Sequence, residues 1–321
     1  MKKPLLLHYY ITEACNAKCT FCNIWKKKSP QYANPSHVLS NIREARKVGC
    51  RFVDFTGGEP LLHKDLPLFL SAAKEEGLIT SVTTNTLLFK KRVSQLIGKI
   101  DLLHFSLDSD TAEEHDMLRG VRSYHSVLEA IDIACAHKMK PDILFTYTNE
   151  NIHSLKGVIS LCEEKKLMLI LDPVFSDTGH DPVSASTHEY ALQWAKHPRV
   201  YLNKAHLTLR QRGGNSTTAP RCKAVQSTVV ILPDNTLALP CYHNKETAIP
   251  ITPDLSTAYA SYKRHAYLVT EGSHPYCSGC HINCYFDPSY LYRYDSLFLQ
   301  SLAAKGRYFL QKYLKDFPFN R

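Results

Sequence analysis

Six short runs rich in β-branched, aromatic and leucine residues recur through the first half of the chain, and each is followed by a stretch able to hold a helix. This alternation constrains the fold more than any other feature. The runs are Leu5–Thr12, Arg51–Thr56, Leu78–Thr84, Asp101–Leu107, Asp142–Thr148 and Leu167–Pro173. Helical patterns lie between them at Pro35–Val48, Lys64–Glu76, Lys90–Lys99, Ser123–Lys138 and Ile152–Lys165. In the fourth of these, Val127, Leu128, Ile131 and Ala134 recur at helical spacing while Glu129, Asp132 and Lys138 fall elsewhere. Strands joined by helix-length crossovers pair in parallel, so the pattern predicts an α/β parallel sheet. Spacing alone leaves open whether it curls into a partial barrel or stays an open doubly wound sheet.

The rhythm stops near "LRQRGGNSTTAPRC", a Gly/Ser/Thr-rich stretch that reads as a linker. Beyond it, "STVVILPDNTLALPC" reads as a hairpin turning at Pro-Asp-Asn, followed by a small cysteine-bearing region. With 321 residues, 44 % of them apolar, the chain can hold one large domain plus a smaller one. The expected division is a core over 1–205, a cysteine-bearing domain over 206–287 and a tail over 288–321. That tail is aromatic and basic, with Tyr308, Phe309, Tyr313, Phe317, Phe319, Lys305, Arg307, Lys312, Lys315 and Arg321. It predicts a helix packed on the core, or one that touches a membrane or a lipid-like substrate. The excess of 39 basic over 30 acidic residues is dispersed, and short runs such as Lys26-Lys27-Lys28 read as solvated loop. No stacking-plus-basic nucleic-acid module is recognisable.

Eleven cysteines is a high count. The N-terminal apolar run is broken by His8 and lacks a small-residue cleavage site, and no stretch approaches the roughly eighteen apolar residues that span a bilayer. The expected compartment is therefore cytoplasmic and reducing, where clustered cysteines signal metal binding or catalysis. Cys15, Cys19 and Cys22 stand at C-x3-C-x2-C directly after the first strand. Loops after the strands of a parallel sheet carry ligands. Soft thiolates select zinc, copper(I) or iron–sulfur clusters, and three of them leave one position open. A zinc site completed by a histidine such as His8 stays open on spacing alone.

The C-x3-C-x2-C loop, with Phe21 before the last cysteine, resembles the signature of the radical S-adenosylmethionine (SAM) superfamily. The resemblance implies a partial (β/α)6 barrel. It also implies a 4Fe–4S cluster on Cys15, Cys19 and Cys22 whose free iron is chelated by SAM, with cleavage to methionine and a 5′-deoxyadenosyl radical that takes hydrogen from substrate. Later strand ends resemble the family in register. "FTGGEP" carries Gly57, Gly58 and Glu59, which the resemblance assigns to the SAM amino group. "TTNT" carries Asn85, with Thr86 where relatives have glycine. "FSLDS" carries Ser106 and Asp108, suited to the ribose hydroxyls or methionyl carboxylate. "HDMLRG" carries Arg119, suited to the SAM carboxylate. "TYTNEN" and "LDPVF" follow the fifth and sixth strands.

A second set comprises Cys222, Cys241, Cys277, Cys280 and Cys284. "CSGCH" matches covalent haem attachment, but that chemistry needs export, and no export signal is present. Cys222 and Cys241 flanking the hairpin, with the C-x-x-C of Cys277 and Cys280, suit a zinc ribbon or a cubane cluster. The pattern resembles the Twitch or shortened SPASM extension of radical SAM enzymes, which implies an auxiliary 4Fe–4S cluster on those four. Asn235 stands in the hairpin where relatives often have glycine, and Cys284 is either an alternative ligand or faces substrate. Cys50, Cys135 and Cys162 read as small buried hydrophobes. The whole implies oxidation or bond formation at an unactivated C–H of a small-molecule or lipid-like substrate. The alternatives are a peptide substrate and a non-enzymatic zinc adaptor. Electrons would come from a flavodoxin- or ferredoxin-type donor. Because the chain starts just before the first strand, a leader-peptide-binding domain is not expected there.

Overall fold

The protein is described here from a computed structural model, over residues 3–176 and 180–315. Phe317, Phe319 and Arg321 of the tail, and the side chain of Lys315, lie outside the described residues. The six expected strands are β1 (Leu6–Thr12), β2 (Phe52–Gly57), β3 (Ile79–Thr84), β4 (Leu102–Ser106), β5 (Asp142–Tyr147) and β6 (Leu169–Pro173). A short β7 (Val200–Tyr201), the hairpin strands β8 (Thr228–Ile231) and β9 (Thr236–Leu239), and β10 (Thr247–Pro250) complete one sheet. Its order is β10-β9-β8-β1-β2-β3-β4-β5-β6-β7. Neighbours from β8 through β1 to β7 are parallel, and β9 and β10 continue antiparallel. The hairpin is therefore not a detached module: β8 lies beside β1 and extends the core sheet.

The crossovers are α1 (Pro35–Val48), α2 (Leu66–Glu75), α3 (Phe89–Leu96), α4 (Ala112–Arg119), α5 (Tyr124–Ala136), α6 (Leu155–Glu164), α7 (Ala185–Gln193) and α8 (Lys204–Gln211). Short helices α9 (Ala224–Ser227), α10 (Leu255–Tyr259), α11 (Tyr262–Val269) and α12 (Asn283–Ser289) surround the second cysteine set, and α13 (Ser296–Phe309) forms the tail. Local chemistry sets the boundaries. Asn34 caps α1 by accepting from Ser36 N at 2.9 Å, Pro35 opens the helix and Gly49 ends it. The sequence pattern misses α4, α7 and α8, each only eight or nine residues long.

The strands have two faces, as their period of two requires. Leu7, Tyr9, Ile11, Val53, Phe55, Phe105, Phe145 and Leu171 are buried with Val38, Ile42, Phe69 and Val158 of the helices in the main core. The alternate positions carry a polar layer that hydrophobic patterning does not reveal. His8 meets Asp54 at 3.1 Å, Thr83 meets His104 at 3.3 Å, and His104 lies 3.7 Å from Asp142. The tail closes on this layer, with Lys312 donating to Asp142 at 2.7 Å. Cys50 and Cys162 are buried as expected, but Cys135 is exposed, because α5 buries Val127, Ala130, Ile131 and Ala134 and turns position 135 outward.

Candidate functional site

Cys15, Cys19 and Cys22 lie on the loop leaving the C-terminal end of β1. Backbone bonds hold this loop on two sides. Lys18 N and Thr20 N donate to Arg119 O and Leu118 O at the end of α4, both at 2.9 Å, and Glu59 N donates to Ala14 O at 2.8 Å. Gly57, at φ +129°, and Gly58 allow that approach: a Cβ on either would run into the carbonyl of Thr12 or Ala14. The glycines therefore seat the cysteine loop against β2. Burial pushes the Cys15 thiol up to about 11 and raises Cys22 as well. Such thiols ionise readily only when a cation compensates them.

The strand-end residues converge around this loop, and the structure gives each a protein partner. Glu59 is buried and accepts from Thr84 Oγ1 and Asn85 N, each at 2.8 Å, and from Leu61 N at 3.0 Å. Three of its roughly four acceptor sites are thus occupied, and burial raises its carboxyl. Asn85 donates to Asn16 Oδ1 at 2.8 Å, a residue between Cys15 and Cys19 that the sequence reading did not single out. Thr86 stands at φ +67°, the left-handed region that accounts for glycine in relatives. Asn235 occupies the same region at φ +61° and accepts from Asn41 Nδ2 at 2.8 Å. Asp108 and Arg119 form a buried ion pair at 2.5 Å. Asp108 also accepts from Thr146 N, while Arg119 reaches Cys19 Sγ at 3.8 Å and lies over the Phe21 ring at 5.4 Å. Ser106 is buried beside them at the end of β4.

The second set divides. Cys222, Cys241, Cys277 and Cys280 line one small cavity together with Ala224, Ile282 and Tyr285. Burial pushes Cys241 up to about 12 and Cys277 up to about 11. Four free thiols converging on one mostly apolar cavity fit a soft-metal group, and every cysteine of the chain is free. Cys284 is absent from that lining. It sits in α12, its carbonyl 3.5 Å from His8 Nε2, within electrostatic reach of Cys241, Asp172, Cys280 and Asp54. His8, the candidate fourth ligand of a zinc site on the first loop, thus has both ring nitrogens engaged, by Asp54 and by Cys284 O. Among the described residues no three His, Cys, Asp or Glu side chains close around a single metal ion.

The stretch read as a linker organises this cavity. Asn215 is 3 % exposed. Its Oδ1 accepts from Arg221 N at 2.9 Å and Cys222 N at 3.1 Å, and its Nδ2 donates to Gly272 O at 2.8 Å and Cys277 O at 3.1 Å. Its backbone pairs with Cys280 O and Gly279 N, both at 2.9 Å. One residue therefore ties Cys222, Cys277 and Cys280 together, the first two through its side chain and the third through its backbone. Its position next to Gly-Gly hid it, because Gly-Gly-Asn-Ser is also the composition of a flexible loop.

A cleft of about 720 Å³ lies between Cys22 and the residues that follow Cys241. Thr20, Phe21, Cys22, Thr56 and Gly57 line one side, and Leu232, Tyr242, His243 and Lys245 line the other. Tyr10 stacks on Tyr242 at 4.0 Å, and Phe175 meets His243 edge-on at 4.9 Å. Lys27 is exposed in a loop, as expected, and from there lines the rim of the cleft and pairs with Glu13. Burial pushes Asp172, hydrogen-bonded to Asn283 Nδ2 at 2.7 Å, up to about 7.

Residues 9–162 match the radical SAM superfamily. Among characterised proteins, the Fe-coproporphyrin III synthase of Methanosarcina barkeri is 25 % identical over 171 residues, covering 52 % of this chain and 42 % of that protein. A probable GTP 3′,8-cyclase of Methanosarcina acetivorans is 32 % identical over 166 residues, covering 49 % and 48 %. The chain thus spans about half the length of these relatives. In fold it is similar to Streptococcus suis SuiB bound to its precursor peptide SuiA, with TM-score 0.70, 19 % identity and coverage of 92 % of this chain and 76 % of that one. It is also similar to anSMEcpe with bound AdoMet, with TM-score 0.66, 17 % identity and coverage of 96 % and 97 %.

Proposed function

This chain belongs to the radical SAM superfamily through residues 9–162, and on that premise we propose that it is an enzyme acting on a small-molecule or lipid-like substrate held between two 4Fe–4S sites. Cys15, Cys19 and Cys22 would hold the SAM-binding cluster, and Cys222, Cys241, Cys277 and Cys280 an auxiliary one. When bound, the first cluster supplies the electron that cleaves SAM and so makes the radical that takes hydrogen from substrate. The protein's own residues position and shield. Gly57 and Gly58 seat the loop, Arg119 places a fixed positive charge beside Cys19, and Asp108 fixes Arg119. With three of its acceptor sites taken, Glu59 holds the β3 end and has one site left for an ammonium group. Ser106 and Asn85 offer polar groups toward the cofactor.

The single observation that carries this reading is the cleft, whose two walls come from the two cysteine regions, with Cys22 on one and the neighbours of Cys241 on the other. A substrate there would meet a radical from one side and an electron acceptor from the other, which suits oxidation or bond formation. The cleft's volume and aromatic lining fit a small ligand. The fold likeness to a peptide-bound enzyme favours a second reading, a peptide substrate. We place the division of the chain at 1–205, 206–287 and 288–321, with a cytoplasmic location and a flavodoxin- or ferredoxin-type electron donor. Among the described residues no helix is long and apolar enough to cross a membrane.

Iron, sulfide and zinc per chain after anaerobic reconstitution test the proposal. About eight irons mean two cubane clusters, and Cys222→Ala should lower this to about four while SAM cleavage persists. Four irons in the unaltered protein refute the auxiliary cluster. Zinc at both cysteine sets, without iron, would leave a zinc-binding adaptor.

A further inference from the structure

The outward face of the tail helix is apolar along its whole length. Leu299, Leu302 and Phe309 of α13, with Leu310 and Leu314 of the π-helical segment Leu310–Lys315 that continues it, are 43–64 % exposed, and Ala303 and Gly306 are exposed between them. Positions 299, 302/303, 306 and 309/310 recur at three- and four-residue steps, which is one continuous stripe of a helix. Among the described side chains, its lysines Lys305 and Lys312 are turned away from it. Lys305 donates to Asp287 at 2.6 Å and Lys312 to Asp142 at 2.7 Å, both on the inward side. Arg307 is half-buried at the stripe's edge.

From this face we infer a two-fold interface between two copies of the chain, formed by antiparallel packing of α13 on α13 with Ala303 of one copy against Gly306 of the other. Three features favour a second copy over a lipid surface. First, an interfacial helix holds anionic lipid through cations flanking its apolar face, and among the described residues Lys305 and Lys312 instead pair with the half-buried Asp287 and the buried Asp142. Second, the stripe reads large-small-large in either direction: Leu299 and Leu302 precede the small centre, and Phe309 and Leu310 follow it. An antiparallel pair around that centre brings the two backbones close and lays the large ends side by side, the self-complementarity an isologous contact requires. A Cβ at Gly306 would meet nothing within 4 Å of its own chain, so the space there is free for a partner. Third, the area is of the right order for a weak contact. One aromatic side chain presents on the order of 200 Å² and a leucine somewhat less, so half-exposure of five leaves roughly 400 Å² per copy. A pair then buries roughly 800 Å², the size of a weak, transient interface. The mostly aliphatic character and modest size predict a dimer that dissociates on dilution.

Sedimentation velocity on the anaerobically reconstituted protein, over a wide concentration range, tests this. The unaltered chain should pass from monomer to dimer. Leu302→Glu, which places a charge in the stripe, should weaken association by at least about tenfold, the effect of losing one interface anchor. Gly306→Leu should do the same by blocking close approach, and its open surroundings keep the monomer's fold and iron content unchanged. A monomer at every concentration overturns the inference, as does a dimer that survives both substitutions. Flotation of the monomer with phosphatidylglycerol vesicles, lost in Leu302→Glu, would assign the stripe to lipid instead.

Discussion

Replacing Asn215 by alanine removes four side-chain hydrogen bonds at once, those to Arg221 N, Cys222 N, Gly272 O and Cys277 O. Each such bond contributes about 1 kcal/mol net, and more when its partner is left buried without another. The four sum to a loss of about 4 kcal/mol, a large part of the stability of a typical domain. The loss falls on one place, because the four partners belong to the segments carrying Cys222 and Cys277. The urea midpoint of the apoprotein should fall accordingly. The reconstituted protein should lose the iron of the second site alone, going from about eight to about four atoms per chain. Asn215→Asp keeps the acceptor for the two N–H groups but sets a carboxylate oxygen against two carbonyls, so it should not rescue. A loss below about 1 kcal/mol with iron unchanged would refute the idea that this residue assembles the second site.

Thr86 holds a left-handed backbone that costs an L-residue about 1–2 kcal/mol. Thr86→Gly should therefore melt above Thr86→Ala by the equivalent of about 1 kcal/mol, and equal melting temperatures would remove strain from the account. His115 is fully buried between Asp108 N at 3.1 Å and Ser123 Oγ at 3.0 Å, and burial lowers its pKa to about 3. The unfolded chain then takes up a proton below about 6.5 that the native protein refuses, so this contribution is complete above that pH and fades as pH falls. It amounts to a loss of about 2 kcal/mol between pH 7 and 5 in urea titrations, and His115→Gln should flatten the curve. Lys312→Met leaves Asp142 buried with Tyr308 and a distant His104. It should cost about 3 kcal/mol by thermal melting, and a double Asp142→Asn, Lys312→Met variant whose loss equals the sum of the two single losses would show that the pair is not coupled.

Local pattern was enough for the scaffold. Runs such as Leu6–Thr12 and Ile79–Thr84 alternate faces within a few residues, and α1 carries its own cap and stop, so each announces itself without knowledge of its neighbours. The cysteine spacings likewise contain their chemistry, because three or four thiolates in short reach have few other uses. Thr86 and Asn235 were legible as departures from glycine, but only backbone angles explain them. Tertiary structure decided the remainder. Asn215 looks like loop composition until the fold brings segments 57 and 62 residues away onto its amide. Cys284 matches its four companions in type, and only the fold shows that it stays outside the lining of their cavity. The meeting of Cys22 and the neighbours of Cys241 at one cleft depends on β8 pairing with β1, a contact spanning more than two hundred residues that no local period encodes. Residue type and spacing set what each segment can do; which segments meet is a property of the packed sheet.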